Sequence, residues 1–242
     1  MSRLKKEVKT EIIHLIKSGK SLNKIIKETG IGKTTIYYYI RKIRGRKYKP
    51  IKINFNDDEL IGEIIGLFAG DGYYLNNEKR SDYRIKIYFN SKEDKLIEYY
   101  RTSFYKLTTK FPGVVHSRSV KIMQMSGKSI CNFVLGYLSF GKRKTATVSL
   151  KNKSYYKNKD FMKGFLRGLV DSDGYVRKGR KEIYYGSISK MLFKDFLKGL
   201  DIFNFRYKTY LQKSKYSDFY KVRISGDEVD KFTSFIKPVK RL

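Results

Sequence analysis

Hydrophobic positions along the 242-residue chain follow two regimes. Through residue 43 they recur at helical spacing in three short runs. Val8, Ile12, Ile13, Leu15 and Ile16 share a face of KKEVKTEIIHLIKSG, and Gly19 is placed to end that helix. Ser21 is positioned to cap a second helix, SLNKIIKETG, which turns Leu22, Ile25 and Ile26 to one side and stops at Gly30. After Gly30-Ile31-Gly32 a third helix runs through KTTIYYYIRKIR with Ile36, Ile40 and Ile43 inward. Three short helices with a tight glycine turn before the last predict a helix-turn-helix over residues 1–49. A three-helix protein-interaction module is the bland alternative. The segment GRKYKPIK, Gly45 to Lys52, combines basic residues with a helix-stopping proline and predicts a basic linker, placed at 50–55, able to track a nucleic-acid backbone.

From residue 56 onward helical and alternating patterns take turns. A helix with Leu60, Ile64, Leu67 and Phe68 inward, capped by Asn56 or Asp57, leads into a strand pair ending in YRIKIYFN (83–90). Then come a helix through KLIEYYRTSFYKL, a hairpin ending in VKIMQMSG (120–127) and a helix from Ser129 to Leu138. The second half, 151–242, repeats the order. A helix capped by Asp160 leads to a strand pair ending in KEIYYGSIS (181–189); a helix through MLFKDFLKGLDIF, a hairpin ending in KVRISG (221–226) and a helix from Glu228 to Ile236 follow. The predicted class is α+β: a duplicated, pseudo-twofold αββαββα arrangement, halves 56–150 and 151–242, behind a small three-helix domain.

The duplication is visible residue by residue. IIGLFAGDG (Ile64 to Gly72) and LRGLVDSDG (Leu166 to Gly174) superpose at a single offset of 102 residues, as do Gly62 with Gly164 and Tyr73 with Tyr175. Small residues fall at every fourth position, Gly62, Gly66 and Gly70 in one copy and Gly164, Gly168 and Ser172 in the other, which places them on one side of each helix. Interior helical glycines cost on the order of 1 kcal/mol each relative to alanine. Close approach of two helix backbones offsets that cost, and the simplest arrangement sets the two stripes face to face. Asp71 and Asp173 then converge beside two helix C-termini, where both like charge and helix dipoles disfavour them. A divalent cation reverses the sign of that interaction. The competing reading makes each Asp the start of an ordinary Asp-Gly turn.

Charge sharpens the picture. Lys and Arg number 54 against 23 Asp and Glu, a net charge of +31, and residues 1–49 alone carry 15 Lys and Arg against three Glu. Such an excess calls for a polyanionic partner, and nucleic acid is the first candidate. No apolar run approaches the roughly 20 residues of a membrane span and MSRLKKEVKT opens no secretory signal, so an intracellular protein of cytoplasm or nucleoid is expected. Cys131 is the sole cysteine and His14 and His116 the only histidines, which leaves Cys/His zinc sites and thiol or Ser-His-Asp chemistry without support. A catalytic metal would be a hard cation held by carboxylates, Mg²⁺ or Mn²⁺. Candidate nucleic-acid contacts are Lys33, Thr34, Thr35 and Tyr38 on the third helix. On what should be the open sheet faces they are Arg84, Lys86 and Tyr88; Lys181, Ile183 and Tyr185; Lys208, Tyr210 and Gln212; and Lys221 and Arg223. Two such sheets beside the helix pair predict a long basic saddle suited to duplex DNA.

The repeated glycine stripe ending in Asp-Gly resembles the LAGLIDADG homing endonucleases in their single-chain, two-motif form, over about residues 56–242. The resemblance implies a monomer that hydrolyses both strands of a long pseudo-palindromic double-stranded DNA target across the minor groove. It implies Mg²⁺ or Mn²⁺ held by Asp71 and Asp173 with the main-chain carbonyls of Gly70 and Ser172. It further implies a water-ordering basic or amide residue in each half, which local likeness puts at Gln124 and Arg223, with Asn90 and Ser187 near a second such position. The same fold serves non-cleaving transcription regulators and intron RNA maturases, so these stand as alternatives, with intron RNA as a possible partner. The helix-turn-helix reads as an added grip on DNA.

Overall fold

The computed structural model describes residues 4–44, 51–77, 82–215 and 217–240. The chain divides into two compact units, residues 1–50 and 51–242. The first contains α1 (Lys6–Lys17), α2 (Leu22–Thr29) and α3 (Lys33–Arg44). The expected punctuation operates: the Ser21 hydroxyl accepts the Lys24 N–H at 3.4 Å, and Gly30 closes α2 at φ 65°, a left-handed conformation that glycine adopts without steric cost. Ile12, Leu15, Ile16, Ile25 and Ile36 form the core, with Val8, Leu22, Ile26, Ile40 and Ile43 partly buried around it. Residues 45–50 of the predicted arm lie outside the described residues. The expected linker does not extend beyond them: Ile51 is buried in the core of the second unit, and the Asn54 N–H donates to the Leu107 carbonyl at 2.8 Å.

The second unit is built twice. Its first half runs α4 (Asp58–Asp71), β1 (Gly72–Asn77), β2 (Asp82–Asn90), α5 (Asp94–Thr108), β3 (Gly113–Ser117), β4 (Val120–Ser126) and α6 (Lys128–Tyr137). A connecting stretch adds β5 (Leu138–Ser139), the single turn α7 (Lys144–Thr147), β6 (Ser149–Leu150) and a 3-10 turn over Lys153–Lys157. The second half follows as α8 (Lys159–Asp173), β7 (Gly174–Arg177), β8 (Glu182–Ser187), α9 (Lys190–Ile202), β9 (Lys208–Gln212), β10 (Phe219–Ser225) and α10 (Asp227–Ile236). Each half folds its four long strands into an antiparallel sheet of the same order, β1-β2-β4-β3 and β7-β8-β10-β9. Asp57 caps α4 as expected, accepting the Leu60 N–H at 2.9 Å. For α8 the cap is Asn158, which accepts the Phe161 N–H at 3.0 Å and donates to Asp58 at 2.7 Å; Asp160 lies inside the first turn.

One register expectation is overturned. In β2 the alternation is as predicted: Ile85, Ile87 and Phe89 are buried, while Arg84, Lys86, Tyr88 and Asn90 look outward. In β8 it is the opposite of the prediction. Ile183, Tyr185 and Ser187 are buried, with Tyr185 stacked on Phe196 at 4.1 Å, so neither Tyr185 nor Ser187 reaches a nucleic acid from the sheet face. The outward residues are Glu182, Tyr184 and Gly186, opposite Ser225, Arg223 and Lys221 of β10. A one-residue slip exchanges the two faces of a strand, and the run IYYGSIS has apolar or aromatic residues at both phases. Burial of Ile183 against the core decides the phase.

Candidate active site

The two glycine stripes do face each other. A Cβ on Gly62 or Gly66 would overlap the Phe161 or Phe165 carbonyl oxygen, and one on Gly164 or Gly168 would overlap the Glu59 or Glu63 carbonyl oxygen. The α4 and α8 backbones are therefore in contact along the stripes, and the helices end side by side. A Cβ on Gly70 would overlap the Ser172 hydroxyl and lie 2.8 Å from Asp173 Oδ2.

Asp71 and Asp173 terminate the two helices at this junction. The Asp71 carboxyl is half-buried; lost hydration pushes its pKa up to about 7, and the neighbouring Asp173 charge adds to the rise. Asp173 is more exposed, yet the atoms crowding its carboxyl raise its pKa too, against the pull of Lys144 and Lys240. Lys144 Nζ donates to the carbonyls of Ala69 at 2.7 Å and Gly70 at 3.0 Å, at the free end of α4. Lys240 Nζ donates to the Ser172 carbonyl at 2.9 Å, at the end of α8. Each ammonium thus meets unpaired carbonyls at the negative end of a helix dipole. Burial lowers the Lys144 amine to about 8, and Asp173 and Asp71 limit the fall. Glu93, just after β2, completes the cluster with an oxygen 3.6 Å from Lys240 Nζ.

The residues expected to be catalytic thus divide. Asp71, Asp173, Gly70 and Ser172 come together. Gln124 and Arg223 sit on the sheets: Gln124 is opposite Lys86 and Gly113, while Arg223 donates to Glu182 at 3.2 Å and lies over the Tyr210 ring. The amines at the carboxylates are Lys144 and Lys240, neither anticipated. Asn90 is exposed and its side-chain oxygen accepts the Lys92 N–H at 3.0 Å; Ser187 is buried and accepts the Ser189 N–H at 3.1 Å. A signal for the lysines was present in the chain. Each follows the last helix of its half in a short basic run, GKRK and KPVK, the two lysines being 96 residues apart.

Around the junction the two copies differ. Where the first has Ile65, the second has Arg167, whose guanidinium donates to Glu63 at 2.9 Å, to Glu59 and to the Ile236 carbonyl at 2.7 Å. Burial pushes the Glu63 carboxyl up to about 7 even against that pull. Where the first copy has Ala69, the second has buried Asp171, which accepts the Tyr100 hydroxyl at 2.7 Å and the Lys240 backbone N–H at 2.7 Å.

The open sheet faces carry the remaining candidates. Arg84, Lys86 and Tyr88 share a face with Gln124, as the cross-strand pairs Lys86–Gln124 and Tyr88–Ile122 require. Arg84 is held by Asp82 through two 2.8 Å bonds. In the second sheet Lys208, Tyr210 and Gln212 of β9 lie opposite Arg223, Lys221 and Phe219, and Lys221 donates to Gln212 at 2.7 Å. Lys181 sits in the turn before β8, paired with Asp230 at 3.1 Å. On α3, Lys33, Thr34 and Tyr38 are exposed and Thr35 is half-buried.

Among the described residues no group of three or more His, Cys, Asp or Glu side chains surrounds a common point. What the junction offers is two carboxylates and two main-chain carbonyls, an all-oxygen set. Two carboxyls whose proton affinity burial raises, at carbonyls now covered by ammonium groups, are donors a hard divalent cation fits, with water completing its shell.

Residues 160–237 match the family model of the LAGLIDADG-like domain. Mesophilic variants of the homing endonuclease I-DmoI are similar at 18% identity and a TM-score of 0.57, over 75% of this chain and 96% of theirs. I-DmoI in complex with DNA and Mn matches at 17% identity and a TM-score of 0.57, over 77% of this chain and 99% of that one. A variant of I-DmoI with its target DNA in the presence of Mg gives 18% and 0.57, over 76% and 98%. No curated protein matches. No described helix is long and apolar enough to cross a membrane.

Proposed function

Since the second unit has the LAGLIDADG homing-endonuclease fold, we propose that this chain is a site-specific, divalent-metal-dependent double-strand DNA endonuclease that acts as a monomer. The observation that carries the reading is the pair of carboxylates, each at the end of a glycine-packed helix and each with a lysine beside it. A duplex laid over the two open sheet faces meets Arg84, Lys86 and Tyr88 on one side and Lys208, Tyr210, Lys221 and Arg223 on the other, with its minor groove above Asp71 and Asp173.

Asp71 and Asp173, with the Gly70 and Ser172 carbonyls, would hold Mg²⁺ or Mn²⁺. When bound, the cation polarises the scissile phosphate and makes an attacking water more acidic. The chain supplies the rest. Lys144 and Lys240, whose ammonium groups lie at the helix-end carbonyls, would be placed to meet the phosphate oxygens, where charge accumulates in the transition state. Gln124 and Arg223 position the backbone from the sheet faces. The first unit serves as a helix-turn-helix whose α3 offers Lys33, Thr34, Thr35 and Tyr38 to an adjoining major groove.

The test is selection of cleavage sites from a library of long duplexes in Mg²⁺. One staggered double-strand cut is expected, absent in EDTA and in Asp71→Asn and Asp173→Asn. Tight binding of one duplex in EDTA with no nicking in Mg²⁺ or Mn²⁺ would favour a non-cleaving regulator. Stronger binding of a structured intron RNA than of any duplex would favour a maturase.

A further inference from the structure

The two lysines at the junction are held in different ways, and the difference falls at one position of the repeat. Lys144 begins α7, a closed helical turn: the Val148 N–H donates to the Lys144 carbonyl at 2.8 Å, and the Thr147 hydroxyl to the Arg143 carbonyl at 2.9 Å. Lys240 has no such element under it, since α10 ends at Ile236 and residues 237–240 belong to no helix or strand. What fixes it is a side chain. Asp171 Oδ1 accepts the Lys240 backbone N–H at 2.7 Å while Oδ2 accepts the Tyr100 hydroxyl at 2.7 Å, and the carboxylate is 1% exposed. With its main chain held there, the lysine places Nζ on the Ser172 carbonyl at 2.9 Å and 3.6 Å from Glu93.

We propose that Asp171 is a positioning residue that fastens Lys240 at the junction, and that only one of the two strand-cutting centres depends on it. The inference rests on the endonuclease reading above. At the equivalent position the first copy has Ala69, whose backbone carbonyl binds Lys144 directly, so that centre owes nothing to a side chain there. A charge-assisted bond from a backbone N–H to a buried carboxylate fixes the start of the lysine side chain; without it the backbone torsions after α10 add to the four side-chain torsions between the ammonium and any anchored atom. Tyr100, on α5 of the first half, orients the carboxylate. The first half thereby helps to hold the lysine of the second.

The test uses the full chain and a duplex labelled separately on each strand. Asp171→Ala should slow nicking of one strand about tenfold or more, leaving the other within about twofold, so that nicked DNA accumulates. Lys240→Met should spare and slow the same strands, and Lys144→Met should slow the opposite one. Asp171→Asn, whose amide oxygen still accepts the Lys240 N–H, should restore most of the lost rate; a merely structural role would not distinguish strands. Hydrogen exchange gives a second reading that needs no cleavage: the Lys240 amide should be protected in the wild type and in Asp171→Asn and exposed in Asp171→Ala, with α4 amides unchanged as the check on folding. Equal slowing of both strands, no slowing at all, or a Lys240 amide that exchanges freely in the wild type would overturn the proposal. If the wild type cuts no duplex the endonuclease reading fails, and exchange at Lys240 alone decides whether Asp171 holds it.

Discussion

The two halves of the second unit share a topology, a sheet order and a helix end, yet they are polar in different places. The helix of the first copy presents apolar Ile65 and Ala69 where the second presents Arg167 and Asp171. From these positions α8 reaches Glu59 and Glu63 on α4, Tyr100 on α5 and the main chain at Ile236 and Lys240. What stays equal is what backbone contact demands. A glycine whose Cβ would overlap a carbonyl oxygen of the facing helix has no substitute, whereas an inward side chain can become polar if its partners are supplied. The pseudo-symmetry is therefore strict at the helix contact and relaxed one residue away from it.

The most severe break in that equality is steric. Gly62→Val and Gly164→Val should each abolish the folded second unit, because a branched side chain is driven into the opposite main chain; a loss beyond about 5 kcal/mol is expected for so direct an overlap. Gly136→Ala, where a Cβ meets nothing within 4 Å, is the control and should change the melting temperature little. Strongly unequal effects at Gly62 and Gly164 would show that the stripes are not mutual. Next in size is the chemistry. Asp71→Asn and Asp173→Asn should each reduce strand cleavage about 10³-fold through loss of several kcal/mol of transition-state stabilisation, while both proteins keep their DNA affinity in Ca²⁺. Survival of one strand's cleavage in either variant would separate the two centres.

The Arg167 network tests the asymmetry itself. Arg167→Met leaves Glu63 buried beside no cation and should cost about 3 kcal/mol, the low end for a broken buried pair because Lys163 still serves Glu59 at 2.9 Å. Adding Glu63→Gln should recover part of the loss, since the remaining polar group is then uncharged. Calorimetry of the two single variants and the double variant gives the coupling, and additivity would refute the pairing.

How much of this was legible in the chain follows from the period of each signal. A glycine at every fourth residue, repeated at a fixed offset, has one steric explanation, so the helix pair and its paired carboxylates could be read directly. The helices of the first unit were equally plain, because Ser21, Gly19 and Gly30 punctuate them. The phase of β8 was not legible, since Ile183, Tyr184 and Tyr185 are apolar or aromatic in succession and only burial of Ile183 and of Tyr185 against Phe196 chooses between faces. Nor were Lys144 and Lys240. In a chain with 54 basic residues a short basic run after the last helix of each half is too common a mark to single them out, and their place at the junction is set by α7 in one half and by Asp171 in the other.

A smaller effect should appear in pH dependence without metal. Asp71 and Glu63 have folded values near 7 against ordinary values of 3.8 and 4.5, so the native state keeps protons that the unfolded chain has released. Their contribution to stability is full below the ordinary values and is lost as pH rises through 7. The melting temperature in EDTA should therefore fall across that window. Mg²⁺ or Mn²⁺ should offset the fall most at the alkaline end, where Asp71 is free to bind. Asp71→Asn should flatten the pH profile and remove the metal increment; Glu63→Gln should flatten it and leave the increment in place. A metal increment that persists in Asp71→Asn would take that carboxylate out of the ligand set.

The mildest test compares the two sheet faces. Lys86 of β2 and Lys221 of β10 each look outward from their own sheet, opposite Gln124 and Gly186. If each neutralises one phosphate, Lys86→Ala and Lys221→Ala should each lower the slope of log affinity against log salt by about 0.9, with little change in sequence preference. Tyr185→Leu should leave that slope unchanged and appear in the melting temperature instead, because its ring is packed on Phe196 beneath the sheet. Titrations in EDTA from low to physiological salt read all three. A slope change at Lys86 but not at Lys221 would mean that the second sheet holds DNA through its arginines and aromatics, extending the asymmetry of the helix pair to the surface that meets the duplex. A loss of DNA affinity in Tyr185→Leu with the melting temperature unchanged would instead restore the outward phase of β8 and contradict the packing that sets it.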